Sequence, residues 1–203
     1  MYLTRLRLDP ENRNTMRAMA NPNQFHGAVE TAFPGERRRS LWRIDTLQGQ
    51  PCLLILSEER PDLTRAAVQF CRPGTEWETL PYEKLLDRVK EGGRWHFRLT
   101  ANPTVRRDGK ILAHTTTAYQ QQWLLERAEN CGFSLAEDEF LVTGNRWYQF
   151  YKKKGDPHKV SLLAVTYEGT LTVRDAERFK QTLCAGIGRE KAYGMGLLTI
   201  VGV

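Results

Sequence analysis

Residues 2–8 alternate: Tyr2, Thr4, Leu6 and Leu8 face one way, while Leu3, Arg5 and Arg7 face the other. A period of two with one apolar face predicts a strand that is buried on one side. Residues 9–13 read as a loop. A period of 3.6 then takes over, with Phe25, Ala28, Val29, Ala32 and Phe33 at i, i+3, i+4, i+7 and i+8, the stripe of a core-facing helix. Asn21 before Pro22, with Gln24 three residues on, supplies the start signal. Pro34-Gly35 supplies the stop. Two strands follow: residues 41–46 alternate, and residues 51–56 are almost continuously apolar, as in a central strand. Leu47-Gln48-Gly49-Gln50 between them has hairpin length. Residues 57–81 carry little pattern beyond a short helix at about 65–70. Residues 82–90 read as helix on Leu85, Leu86 and Val89, and residues 94–100 as a strand with Trp95, Phe97 and Leu99 inward.

The order strand, helix, strand, strand, helix, strand is the ferredoxin-like arrangement, which RNA-recognition modules share. The second half repeats it in pattern only. A hairpin is expected around Arg107-Asp108-Gly109-Lys110, since Asp-Gly is a strong turn signal. A helix over 119–131 stops at Gly132. Strands over 140–151 and 160–167 are joined by the lysine-rich 152–159, and a short strand occupies 169–173. Asp175 caps a helix to about Leu183, and residues 197–201 form a last strand. The expectation is an α+β chain of two tandem ferredoxin-like (RRM-like) domains with antiparallel sheets. They are placed at 1–104 and 105–203.

A chain of 203 residues is long enough for either one core or two. The formal net charge of +6 favours a polyanionic partner. Cys52, Cys71, Cys131 and Cys184 are far apart, with no C-x-x-C and no histidine at ligand spacing. This argues against a zinc site or disulfide framework and for a reducing, cytoplasmic setting, with no metal and no cofactor. No apolar run is long enough to span a membrane.

Four stretches concentrate cations: Arg37-Arg38-Arg39, residues 94–110 with Arg98 and Arg106, residues 146–159 with Lys152, Lys153, Lys154 and Lys159, and Arg189 with Lys191. Aromatics interleave with two of them, in Arg94-Trp95-His96-Phe97-Arg98 and Arg146-Trp147-Tyr148-Gln149-Phe150-Tyr151. Cations neutralise phosphates and rings stack on bases; the plain alternative is solvated charge around core aromatics. The last cations lie in a loop with Gly186, Gly188, Gly194 and Gly196. Lys191 stands where G-x-G-x-x-G needs its third glycine, and the order is helix-loop-strand, so this is no dinucleotide cradle. No Walker A string exists. Among the histidines, His26 is the sharpest chemical candidate, because it lies on a well-signalled helix at the margin of its apolar face. Its plain alternative is an ordinary boundary histidine.

Several strings together resemble the CasE family, the CRISPR precursor-RNA endoribonucleases of type I-E Cascade. They are Met1-Tyr2-Leu3-Thr4, the helix carrying His26, Leu54-Ile55-Leu56-Ser57-Glu58 with Arg60-Pro61-Asp62, Phe97-Arg98-Leu99-Thr100-Ala101-Asn102-Pro103-Thr104, and Gly186-Ile187-Gly188-Arg189 through Lys191-Ala192-Tyr193-Gly194-Met195-Gly196-Leu197. The resemblance implies metal-independent cleavage of CRISPR repeat RNA at the base of a stem-loop. The ribose 2′-hydroxyl attacks the adjacent phosphate, leaving a 2′,3′-cyclic phosphate or its opened form and a 5′-hydroxyl. It places the general acid or base at His26 and a phosphate-stabilising lysine at Lys159. It implies RNA contacts by the cations named above, by Asn102 and by the four loop glycines. The partners implied are the repeat hairpin or crRNA and other Cascade subunits. The family can carry tyrosine three residues before the histidine; here that residue is Asn23. A non-catalytic hairpin-binding subunit is the alternative; if the chain does cleave, either Tyr2, Tyr193 or a lysine is the substitute, or His26 works alone.

Overall fold

The computed structural model describes residues 1–33, 40–151 and 159–203. The chain folds as two compact units, one of Met1–Lys84, Tyr148–Val160 and Lys191–Gly194, the other of Leu85–Trp147, Ser161–Glu190 and Met195–Val203.

The first unit is built from β1 (Tyr2–Arg7), α1 (Arg13–Ala20), α2 (Asn23–Thr31), β2 (Leu41–Leu47), β3 (Gln50–Ser57), α3 (Thr64–Phe70) and β4 (Trp77–Pro81). Its sheet runs β2-β3-β1-β4, with every pairing antiparallel. The first strand lies between the third and fourth, which is the ferredoxin-like order. Alternation decides the faces: Leu6 pairs with Leu53 and Thr4 with Ile55, and all four are buried. Phe25 of α2, Phe70 of α3 and Trp42 of β2 meet on this face, with ring centroids 4.9 Å apart for Phe25–Phe70 and 6.0 Å for Phe25–Trp42. Each such fully buried side chain contributes roughly 1.5–3 kcal/mol. The β2–β3 hairpin closes through Gln48 and Gly49 at φ 52° and 77°, the paired positive φ of a tight hairpin turn.

The second unit holds β5 (Arg94–Ala101), the hairpin β6 (Thr104–Arg107) and β7 (Lys110–Ala113), α5 (Thr117–Ala128), β8 (Phe133–Ser134), most of β9 (Phe140–Tyr151) and β10 (Lys159–Val173), α6 (Ala176–Ala185) and β11 (Leu198–Gly202). The order β11-β5-β10, with β8 and β9 both on β10, repeats the same topology. Asp108 and Gly109 turn the β6–β7 hairpin at φ 50° and 74°. Gly132 ends the α5 segment at φ 81°, and the Asp175 carboxylate accepts from the Arg178 N–H at the start of α6.

Several expectations are corrected. The short helix expected at about 65–70 is present as α3, but it is α3 that serves as the first domain's second helix, and the fourth strand, β4, lies in the stretch read as mostly loop. The helix expected at 82–90 is one turn, α4 (Glu83–Leu86). β5, counted with residues 1–104, instead pairs along its length with β10 (Leu99 opposite Tyr167) and with β11 (Leu99 opposite Leu198). It is the first strand of the second sheet, so the sheets divide after β4 and not at residue 104. α1 is additional, and Asn21 sits at its C-terminal end. Residues 160–173, expected as two strands, are one long strand. No described helix is long and apolar enough to cross a membrane.

Candidate active site

α2 begins where the sequence signals it. Pro22 has no N–H and so needs no acceptor, the Asn21 side chain accepts from the Asn23 N–H at 3.2 Å, and the His26 N–H reaches the Pro22 carbonyl at 3.0 Å. Phe25, Ala28 and Val29 are buried and fix the helix by one face. His26, one residue on from Phe25, therefore lands on the border, with 20% of its side chain exposed. Glu30, one turn further, brings Oε1 to 3.4 Å from His26 Nε2.

A second neighbour of His26 comes from the glycine-rich loop. A 3-10 turn at Lys191–Tyr193 packs on α2 and β2. The Tyr193 ring meets the His26 ring at 5.9 Å between centroids and 61° between planes. Phe150 also packs against the Tyr193 ring, at 5.0 Å between centroids. Gly194 makes this approach feasible: its φ is +78°, and a Cβ there would lie 2.7 Å from the Trp42 ring. Trp42 packs on Phe25, so the contacts run in a circle from Phe25 through Trp42 and Gly194 to Tyr193 and back to His26. An imidazole that is partly out of water, with a carboxylate and a tyrosine ring as neighbours, has the parts for proton transfer.

The other expected site residues fall into groups. Lys159 is exposed and donates to Gln149 Oε1 at 2.7 Å. Arg106 and Arg189 are exposed. Lys191 is half-buried in the turn beside Tyr193. Arg98 is paired across the sheet with Glu168, its Nε donating at 2.7 Å and its Nη2 lying 2.5 Å away, so its charge is largely spent inside the protein. Asn102 is 6% exposed and its Oδ1 lacks a hydrogen-bond partner among the described residues; burial removes it from any outward contact surface. Arg37, Arg38, Arg39, Lys152, Lys153 and Lys154 lie outside the described residues.

The loop glycines were expected to contact RNA. Three of their N–H groups are bonded within the protein: Gly194 N–H bonds to the Lys191 carbonyl and Gly196 N–H to the Thr100 carbonyl at 2.7 Å, while Gly186 N–H caps α6 on Thr182. Gly188 seats its backbone on Trp123, where a Cβ would lie 3.1 Å from the ring. Gly188 and Gly194 thus serve close packing against Trp123 and Trp42. Glu30 and Phe150 were not singled out from sequence. Glu30 was readable, since i and i+4 share a helix face; nothing local points to Phe150.

Against known proteins, the chain is 34% identical to the CRISPR-associated endoribonuclease Cse3 of Thermus thermophilus, covering 98% of this chain and 99% of that one. The solved structure of Thermus thermophilus Cse3 bound to an RNA representing a pre-cleavage complex superposes with a TM-score of 0.82 at 30% identity, with 98% of each chain covered. The crystal structure of Cas6e from Escherichia coli K-12 matches over the full length of both chains with a TM-score of 0.62 at 20% identity, a likeness of fold alone. A family model described as CRISPR associated protein matches residues 1–201, and with a full-length relative in agreement the chain belongs to that CRISPR-associated family.

Proposed function

We propose that this protein is a metal-independent endoribonuclease that cuts CRISPR repeat RNA at the base of a stem-loop, acts in the cytoplasm, and stays on the product as a subunit of an RNA-guided complex. In the reaction the ribose O2′ forms a bond to the adjacent phosphorus and the bond from phosphorus to O5′ breaks. A proton leaves O2′ and another arrives at O5′, giving a 2′,3′-cyclic phosphate and a 5′-hydroxyl. His26 carries one of these two transfers. An imidazole can serve as base or as acid, so it suits either. The Tyr193 phenol, beside His26, is the group for the other, in place of a tyrosine at Asn23. Exposed cations such as Lys159, Arg106 and Arg189 would hold the phosphates. Four thiol cysteines fit a reducing compartment.

The observation that carries this reading is the partly exposed His26 with a carboxylate and a tyrosine ring beside it, in a chain 34% identical to an endoribonuclease along nearly its whole length. Single-turnover cleavage of the host's repeat RNA in EDTA tests it. His26→Ala is expected to slow cutting on the order of 10²–10⁴-fold and to leave hairpin affinity intact. A 2′-deoxy substitution at the cut site should abolish cutting while leaving binding. Asn23 favours a second reading, a subunit that holds the hairpin without cutting it. Tight binding of an uncut repeat by the wild type would establish that reading.

A further inference from the structure

Glu30 lies on the same face of α2 as His26, one turn on, with Oε1 3.4 Å from Nε2. Four features give this contact weight. It joins a carboxylate to the one ring already singled out for proton transfer. Both side chains are rooted on a helix that Phe25, Ala28 and Val29 anchor. The Tyr193 ring also packs against the imidazole, 5.9 Å between centroids and 61° between planes. The contact is also short enough to tighten into a hydrogen bond once RNA is seated, as such contacts commonly do in enzyme complexes.

We infer that Glu30 is a positioning residue: its carboxylate accepts the Nε2–H of His26, fixes the ring plane and the tautomer, and leaves Nδ1 as the nitrogen that faces the RNA. The inference rests on the reading of His26 as the proton-transfer group. The physical reason is that the two imidazole nitrogens are interchangeable until one of them has a partner, and the partner decides which one holds the proton. As a base, His26 then takes the O2′ proton on Nδ1; as an acid, it gives the proton on Nδ1 to O5′. Without Glu30 the ring is free to turn and both tautomers are populated, so a fraction of molecules presents the wrong nitrogen.

The experiment compares Glu30→Ala, Glu30→Gln and His26→Ala in the full-length protein. It reads single-turnover cleavage, equilibrium RNA binding with a non-cleavable 2′-deoxy repeat, and the nitrogen-15 NMR signature of His26. Glu30→Ala should slow cleavage about 10- to 100-fold, the scale of a misplaced reacting group, with binding changed less than about twofold and both tautomers visible by NMR. Glu30→Gln keeps a carbonyl oxygen that can accept Nε2–H, so it should retain most of the rate and a single Nε2–H tautomer. A merely structural Glu30 would lower the melting temperature without moving the tautomer signal. The inference is overturned if Glu30→Ala cuts at the wild-type rate while His26→Ala does not, if both Glu30 variants lose rate equally, or if wild-type His26 carries its proton on Nδ1. A His26→Ala protein that cuts normally sinks the parent reading, and this inference with it.

Discussion

Asn23 sits three residues before His26, on the same side of α2, where the resembling family can carry a tyrosine. An amide is no proton donor near neutral pH, so a cutting enzyme needs its second group elsewhere. Tyr193 occupies the right ground: its ring lies against His26 and also packs on Phe150. Tyr193→Phe preserves both ring contacts and removes only the hydroxyl. It is expected to slow cleavage on the order of 10²-fold with RNA affinity unchanged, measured as single-turnover rate and equilibrium binding side by side. Adding Asn23→Tyr to that variant should restore part of the rate, since the new phenol rises from the same helix face as His26. A Tyr193→Phe protein that cuts at full rate would leave the phenol with a packing role only.

Gly194 shows how the 3-10 turn at Lys191–Tyr193 is held in place. Its φ of +78° disfavours any side chain, and the Trp42 ring fills the space a Cβ would need at 2.7 Å. Gly49 has nearly the same φ, +77°, but nothing within 4 Å of its would-be Cβ. Gly194→Val should therefore cost about 2–5 kcal/mol, from backbone strain and overpacking together, and Gly49→Ala about 1–2 kcal/mol from strain alone. Chemical denaturation of the two variants checks this; equal losses would mean that the Trp42 contact contributes nothing. The same element marks what local pattern reveals. The glycines announced a special backbone, but not that its partner is a tryptophan far away in the chain. β5 was legible as a strand because Trp95, Phe97 and Leu99 alternate and are buried. Its sheet was not, because alternation is identical whichever strands flank it. β4 was missed for a different reason: its side chains are nowhere fully buried, and Leu80 is 67% exposed, so no apolar face is written into it. α1 buries only Thr15 and Ala18, too few for a stripe. His26 was legible because strong caps and a strong stripe fixed its helix; Tyr193 was only one of several substitutes until the turn brought it there.

A formal net charge of +6 spread over 203 residues does not say which cations meet RNA. Several are already neutralised within the fold: Arg43 with Asp45 at 2.6 Å, almost fully buried, Arg94 with Glu139 at 2.5 Å, and Arg98 with Glu168. Arg106 and Arg189 are exposed instead. Binding of a polyanion releases counterions in proportion to the phosphates neutralised, so log affinity falls with log salt by about 0.7–0.9 per contact. Salt titrations with an uncleavable repeat hairpin therefore sort the arginines. Arg106→Ala and Arg189→Ala should each flatten the salt dependence by about one unit and weaken binding at low salt. Arg98→Ala should leave the slope unchanged, because its charge is balanced by Glu168 before RNA arrives. Its effect should appear instead as lost stability, since Glu168 is left half-buried beside Thr143, which already donates to it at 3.1 Å. If Arg98→Ala flattens the slope and the two exposed arginines do not, the Glu168 pair opens when RNA binds, and the second sheet takes a direct part in holding the hairpin.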